Sequence, residues 1–151
     1  MRDTNEMTII FDSRPVNEGF ARVAAAAFLT QLNPTIEEVA DVKTAISEAV
    51  TNAIIHAYGN EVHNIEIHCS ITGNLFQVEV KDQGIGIEDI KQAMEPLFTT
   101  KPEEDRAGMG FAFMEAFMDH ISVQSRAGEG TLVTMEKRIG KERETWTTQS
   151  L

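Results

Sequence analysis

Residues 47–59, SEAVTNAIIHAYG, carry small and apolar side chains at helical spacing, among them Ala49, Val50, Ala53, Ile54 and Ala57. Such a helix is built for burial. Yet Glu48, Asn52 and His56 recur at i, i+4 and i+8, on a single stripe of the same helix. A carboxylate and a carboxamide one turn apart on an apolar helix call for something to interact with, because burying a polar group without a partner is costly.

Upstream, Thr35 followed three residues later by Glu38 is a capping-box signal, and Ile36, Val39, Val42 and Ile46 extend the helix back to it; it ends near YGN. Before that, VNEGFARVAAAAFLTQL places Phe20, Val23, Ala24, Ala27, Phe28 and Leu32 at helical spacing and stops at NP, which predicts a first helix. The opening strand is expected at roughly residues 7–13. Downstream, NIEIHCSI alternates, with Ile65, Ile67, Cys69 and Ile71 facing the core. A TGN turn leads into LFQVEVKD, giving a hairpin. Then follow a loop, QGIGIEDI, and a charged stretch, EPLFTTKPEEDRAGMG, whose prolines, glycines and lack of periodicity predict a mobile flap. A short helix, FAFMEAFMD, precedes a second hairpin, HISVQS and TLVTMEKRI, turning at RAGEG. This order predicts an α/β two-layer sandwich, a mixed, mainly antiparallel sheet covered on one face by helices. One domain spans residues 1–140, and residues 141–151 form a polar tail.

Composition narrows the function. At 151 residues, 42% hydrophobic and 25% charged, the chain suits one soluble globular domain. No apolar run approaches the ~20 residues of a membrane span, and no apolar leader opens the chain. The single cysteine, Cys69, suits a reducing cytoplasm. A net charge of −11 opposes direct nucleic-acid binding. His63, His68 and His120 lack metal-ligand spacing.

Two glycine clusters bear on ligand binding. Asp82 ends a strand and is followed by Gly84 and Gly86, which would let backbone approach a ligand closely, although the same pattern also suits an ordinary turn. Gly108 and Gly110 stand where a helix begins, and free amides at a helix start bind phosphate oxygens. Lys101 and Arg106 add local positive charge.

Together EAVTNAIIH, DQGIGI, GMGF and GTLV resemble the ATP-binding fold of the GHKL superfamily, which includes gyrase and the histidine kinases. Within it, SEAVTNAIIHAYGN, PLFTTKPE and RAGMGFAFMEAFMD are most similar to the anti-sigma serine kinases of spore-forming bacteria. The resemblance implies ATP and ADP as ligands, with Asn52 coordinating Mg²⁺ and Glu48, about 6 Å along the helix axis, serving as general base. It implies that Asp82 accepts from the adenine amino group, that Gly84 and Gly86 shape the adenine pocket, and that Thr131 contacts adenine through water. Gly108, Met109 and Gly110 would bind phosphate, with Thr99, Thr100, Lys101 and Arg106 in the same lid. The implied partners are a sporulation sigma factor, an anti-anti-sigma protein carrying the phosphoacceptor serine, and a second copy of the chain in a homodimer. Glu18 and Arg22, at i and i+4 on the polar side of the first helix, match partner contacts, though a plain surface ion pair has the same spacing. A stress-response paralogue, a histidine-kinase catalytic domain and a non-catalytic nucleotide-switched binding module are the alternative readings.

Overall fold

The structure, a computed structural model, describes residues 3–57, 61–87, 94 and 110–140. In chain order these form β1 (Thr4–Asp12), α1 (Asn17–Leu29), a 3₁₀ turn (Thr30–Leu32), α2 (Ile36–Asn52), a π-helical turn (Ala53–Ala57), β2 (Asn64–Thr72), β3 (Leu75–Asp82), α3 (Gly110–Phe117), β4 (His120–Arg126) and β5 (Gly130–Arg138). Strands of alternating pattern joined by tight turns pair antiparallel, and all four pairings here are so, in the order β1-β2-β3-β5-β4. No parallel pair occurs among the described strands, so the sheet is antiparallel where a mixed one was expected.

Register follows from burial. Ile65, Ile67, Cys69 and Ile71 of β2 and Phe76, Val78 and Val80 of β3 all face the core. A slip of one residue would turn each of them to the opposite face, at about 1.5–3 kcal/mol for every large side chain exposed. Cys69 is wholly enclosed, and burial pushes its thiol up to about 12.

The helices lie on that face, with α2 packed between α1 and α3. α2 begins with the expected capping box: Thr35 Oγ1 accepts from Glu38 N at 3.0 Å, and Thr35 N donates to Glu38 Oε1 at 2.8 Å. The other oxygen of the same carboxylate accepts from Gly140 N at 2.8 Å, tying the end of β5 to the start of α2.

Some sequence expectations shift. β1 begins at Thr4, ahead of the expected start. The buried face of α1 is Ala21, Ala25, Ala26 and Leu29, whereas Phe20 and Val23 are 61% and 56% exposed. Small side chains let α1 approach its neighbours closely, so the packed face is the alanine face. Ile36, at the first turn of α2, is exposed as well. Residues 88–109 apart from Met94, which include nearly all of the expected flap, and the tail, residues 141–151, lie outside the described residues. Among the described residues no helix is long and apolar enough to cross a membrane.

Candidate functional site

One transverse row of side chains crosses the end of the sheet on its helix-covered face: Phe11, Ile65, Asp82, Thr131 and Ser125 are successive cross-strand neighbours. The row turns from apolar to polar at Asp82, which continues the inward alternation of Phe76, Val78 and Val80. Desolvation raises the Asp82 carboxyl above its ordinary 3.8, and backbone N–H groups of Gly84 and Thr131 partly offset that by favouring the ionised form. The Gly84 bond, to Oδ1, measures 3.0 Å.

The loop after Asp82 is held on two sides. Ile85 N donates to the Ala57 carbonyl at 3.0 Å, and Gly128 N donates to the Ile85 carbonyl at 2.6 Å. Both glycines of the loop are sterically required. A Cβ at Gly84 would collide with the Ala57 carbonyl, and one at Gly86, whose φ is +76°, would collide with the Arg126 carbonyl. The π-helical turn that brings Ala57 here widens α2 locally, a distortion found often at functional sites.

Glu48 is buried at 3% exposure, and Asn52 is half-buried one turn further on. Gly110 opens α3 directly against Asn52. A Cβ there would lie 2.9 Å from Asn52 Nδ2 and 3.1 Å from Oδ1, so a side chain at this position would crowd the carboxamide. The Asn52 amide oxygen is the kind of hard, uncharged donor that Mg²⁺ accepts, so this residue fits that ion.

Of the expected site residues, Glu48, Asn52, Asp82, Gly84, Gly86, Gly110 and Thr131 are described, on α2, the end of β3 and the loop after it, α3 and β5. Thr99, Thr100, Lys101, Arg106, Gly108 and Met109 lie outside the described residues. Glu18 and Arg22 stand apart on α1: their side chains approach to 3.8 Å, and Glu18 Oε1 and Arg22 Nε are enclosed without a hydrogen bond among the described residues. A cleft of about 740 Å³ is lined by Ala57, Glu61, His63, Asn64, Gln83, Gly84 and Ile85. It shares only Gly84 with the expected site and flanks the loop after β3.

Ser125 was not singled out by its sequence. Its Oγ accepts from Ile87 N and meets the Gly130 carbonyl and Thr131 Oγ1, each at 2.8 Å. The signal lay in the alternation of HISVQS, which puts this serine in the inward row with Ile121 and Val123.

Sheet, helix layer and site define a histidine kinase-like ATPase domain, and the family model of that description matches residues 11–137. An anti-sigma F factor of Thermoanaerobacter sp. is 57% identical over 143 residues, 95% of this chain and 100% of that protein. One from Oceanobacillus iheyensis is 49% identical over 138 residues, 91% of this chain and 94% of that protein. The chain belongs to this anti-sigma F factor family of histidine kinase-like ATPase domains. A solved structure of the RsbU and RsbW domains of a Mycobacterium tuberculosis protein shares the fold, with a TM-score of 0.65 at 21% identity, covering 89% of this chain and 32% of that one. The Acinetobacter baumannii histidine kinase AdeS does so at a TM-score of 0.53 and 12% identity, covering 88% of this chain and 68% of that one.

Proposed function

We propose that this chain is an Mg-ATP-dependent protein serine kinase that also sequesters a sporulation sigma factor, its phosphoacceptor being a serine of a small anti-anti-sigma protein. The observation that carries the reading is the loop after Asp82 bonded to the end of the helical run that bears Glu48 and Asn52, Ile85 N donating to the Ala57 carbonyl, with Gly110 set against the Asn52 carboxamide. The names of the relatives support the choice of partners.

Asp82 accepts from the adenine amino group and excludes a base with a keto oxygen at that position. Gly84 and Gly86 admit the base, and Thr131 reaches it through water. Asn52 would hold Mg²⁺, which would supply positive charge against that of the phosphates. Gly110 leaves the start of α3 open to phosphate, where unpaired amides and the helix dipole favour anions. Gly108, Met109, Thr99, Thr100, Lys101 and Arg106 complete that contact in this reading. Glu48 takes the proton from the serine hydroxyl as the phosphoryl group is transferred. Glu18 and Arg22 face the protein partners, the functional unit is a homodimer, and it works in the cytoplasm.

The test is Glu48→Gln, which keeps size and hydrogen-bonding reach but removes basicity. Phosphate transfer should fall by about 10²–10⁴-fold while ATP and sigma-factor binding survive. Transfer from radiolabelled ATP at the parental rate removes Glu48 as the base. An acid-labile phosphohistidine in place of phosphoserine replaces the serine-kinase reading with the histidine-kinase one. Sedimentation of a monomer at working concentration removes the homodimer.

A further inference from the structure

Lys137 occupies a core-facing position. Thr131, Val133, Met135 and Lys137 are the successive residues of β5 that turn to the helix-covered face, and the Lys137 side chain is only 14% exposed. An ammonium so placed needs partners, because burying a charge without them is costly. It finds them on two helices: Nζ donates to the carbonyl of Phe117, the last residue of α3, at 2.8 Å, and stands 3.8 Å from Asp41 Oδ2 on α2. A cation there also meets the negative end of the α3 dipole. At its other end α3 opens at Gly110 against Asn52. It therefore runs antiparallel to α2, its start beside the end of α2 and its finish tied through Lys137 to the first half of α2. Phe111, Met114 and Met118 are buried beneath it, but hydrophobic burial is non-directional and leaves a helix free to slip along its axis. Asp119 N donates to the Glu136 carbonyl at 2.9 Å and Arg138 N to Asp119 Oδ2 at 2.7 Å, which holds the turn into β4 rather than the helix. The charge-assisted bond from Lys137 grips the helix's own carbonyl and fixes α3 lengthwise.

We infer that Lys137 is a positioning residue for phosphate binding: by gripping the end of α3 it sets where the start of that helix stands over Asn52, and so whether the unpaired amides there meet the nucleotide phosphates. The inference rests on the proposed reading of the start of α3 as the phosphate contact. Lys137 does not touch the ligand in that reading, since the length of α3, about 10 Å from Phe117 back to Gly110, stands between them. Over such a distance its charge acts on a phosphate only weakly, and salt screens it. Loss of the grip weakens the hold on the phosphates and spares the base, which the end of the sheet holds. The diagnostic quantity is therefore the ratio of affinities for Mg-ATP and for adenosine, which has the same base and no phosphate.

Calorimetric titration with Mg-ATP and, by competition, with adenosine on the parental chain and on Lys137→Met, which keeps the length of the side chain and removes its donor, tests this. In the variant the preference for Mg-ATP should fall by about five- to tenfold, the worth of one hydrogen bond, while adenosine affinity holds. The difference between variant and parental chain should persist at raised salt. A difference that disappears as salt is raised is the loss of a distant charge and overturns the inference. Equal weakening of both ligands, or a lowered Tm with the ratio unchanged, makes Lys137 merely structural and overturns it too. Should Lys137→Met not fold, Lys137→Gln, polar and one bond shorter, takes its place. It should lower the preference as well, and an unchanged ratio there overturns the inference equally. A parental chain that binds Mg-ATP no better than adenosine overturns the phosphate reading and this inference with it, a result distinct from a ratio that the substitution leaves unmoved.

Discussion

Asp82 occupies a position that the strand pattern reserves for an apolar side chain, and its burial costs stability whenever it is ionised. Because the folded carboxyl titrates above its ordinary 3.8, the native state holds a proton that the unfolded chain has already released in the interval just above that value. Stability linked to this group is therefore greatest below 3.8 and declines as pH rises through the folded value. Nucleotide binding has the opposite slope, since accepting from an amino group requires the carboxylate. ATP affinity should strengthen as pH climbs through the folded value and then level off. Asp82→Asn should weaken ATP by about 1–3 kcal/mol, because its amide can present a donor where an acceptor is needed, and should flatten that pH dependence. Titrations at several pH values check both parts, and an Asn variant of parental affinity takes Asp82 out of the base contact. Arg22→Ala belongs to the same scale. In the proposed reading it should impair binding of a protein partner and leave ATP affinity intact, since α1 supplies none of the expected nucleotide contacts; calorimetry with partner and nucleotide separates the two.

At the scale of elements, α2 was the most legible piece of the chain, because its start, its core face and its polar stripe each leave a separate mark. The start rests on the reciprocal Thr35–Glu38 bonds. Thr35→Ala should lower thermal stability by about 0.5–2 kcal/mol while leaving nucleotide affinity unchanged, as the cap lies at the end of α2 remote from Asn52. A thermal melt beside an ATP titration checks it, and a matching loss of affinity would show that the cap also governs the site. The far end of α2 was less legible: nothing in AIIHA announces a π-helical turn, which depends on tertiary contacts such as Ile85 N to the Ala57 carbonyl. The face of α1 misled for a different reason. Size suggested Phe20 and Val23 as its core side, but close helix packing selects small residues, and a run of four alanines marks no single face. The polar row was half legible. Asp82 and Thr131 came from the motifs, while Ser125 needed the β4–β5 register before its hydroxyl could be paired with Thr131.

Across the whole molecule, the expected site draws on both layers: Glu48 and Asn52 from α2 and Gly110 from α3 on one side, Asp82, the loop after it and Thr131 on the other. A ligand held by all of these would bridge helices and sheet rather than sit on one element. Its binding energy would then oppose global unfolding, adding RT ln(1 + [L]/Kd), about 2.7 kcal/mol at a hundredfold excess over Kd. For a domain of this size that corresponds to a rise in Tm of roughly 5–10 °C. Asn52→Ala removes the carboxamide beneath Gly110 and with it the seat expected for Mg²⁺, so the rise produced by Mg-ATP should shrink to a small fraction of the parental value while the melt of the free protein moves little, Asn52 being only half-buried. Hydrogen exchange gives the spatial version of the same test. Mg-ATP should slow exchange in α2, α3, β3 and β5 together in the parental chain and in none of them cooperatively in the variant. Protection confined to a single element, or an undiminished rise in Tm for Asn52→Ala, would show that the ligand does not join the two layers through this residue.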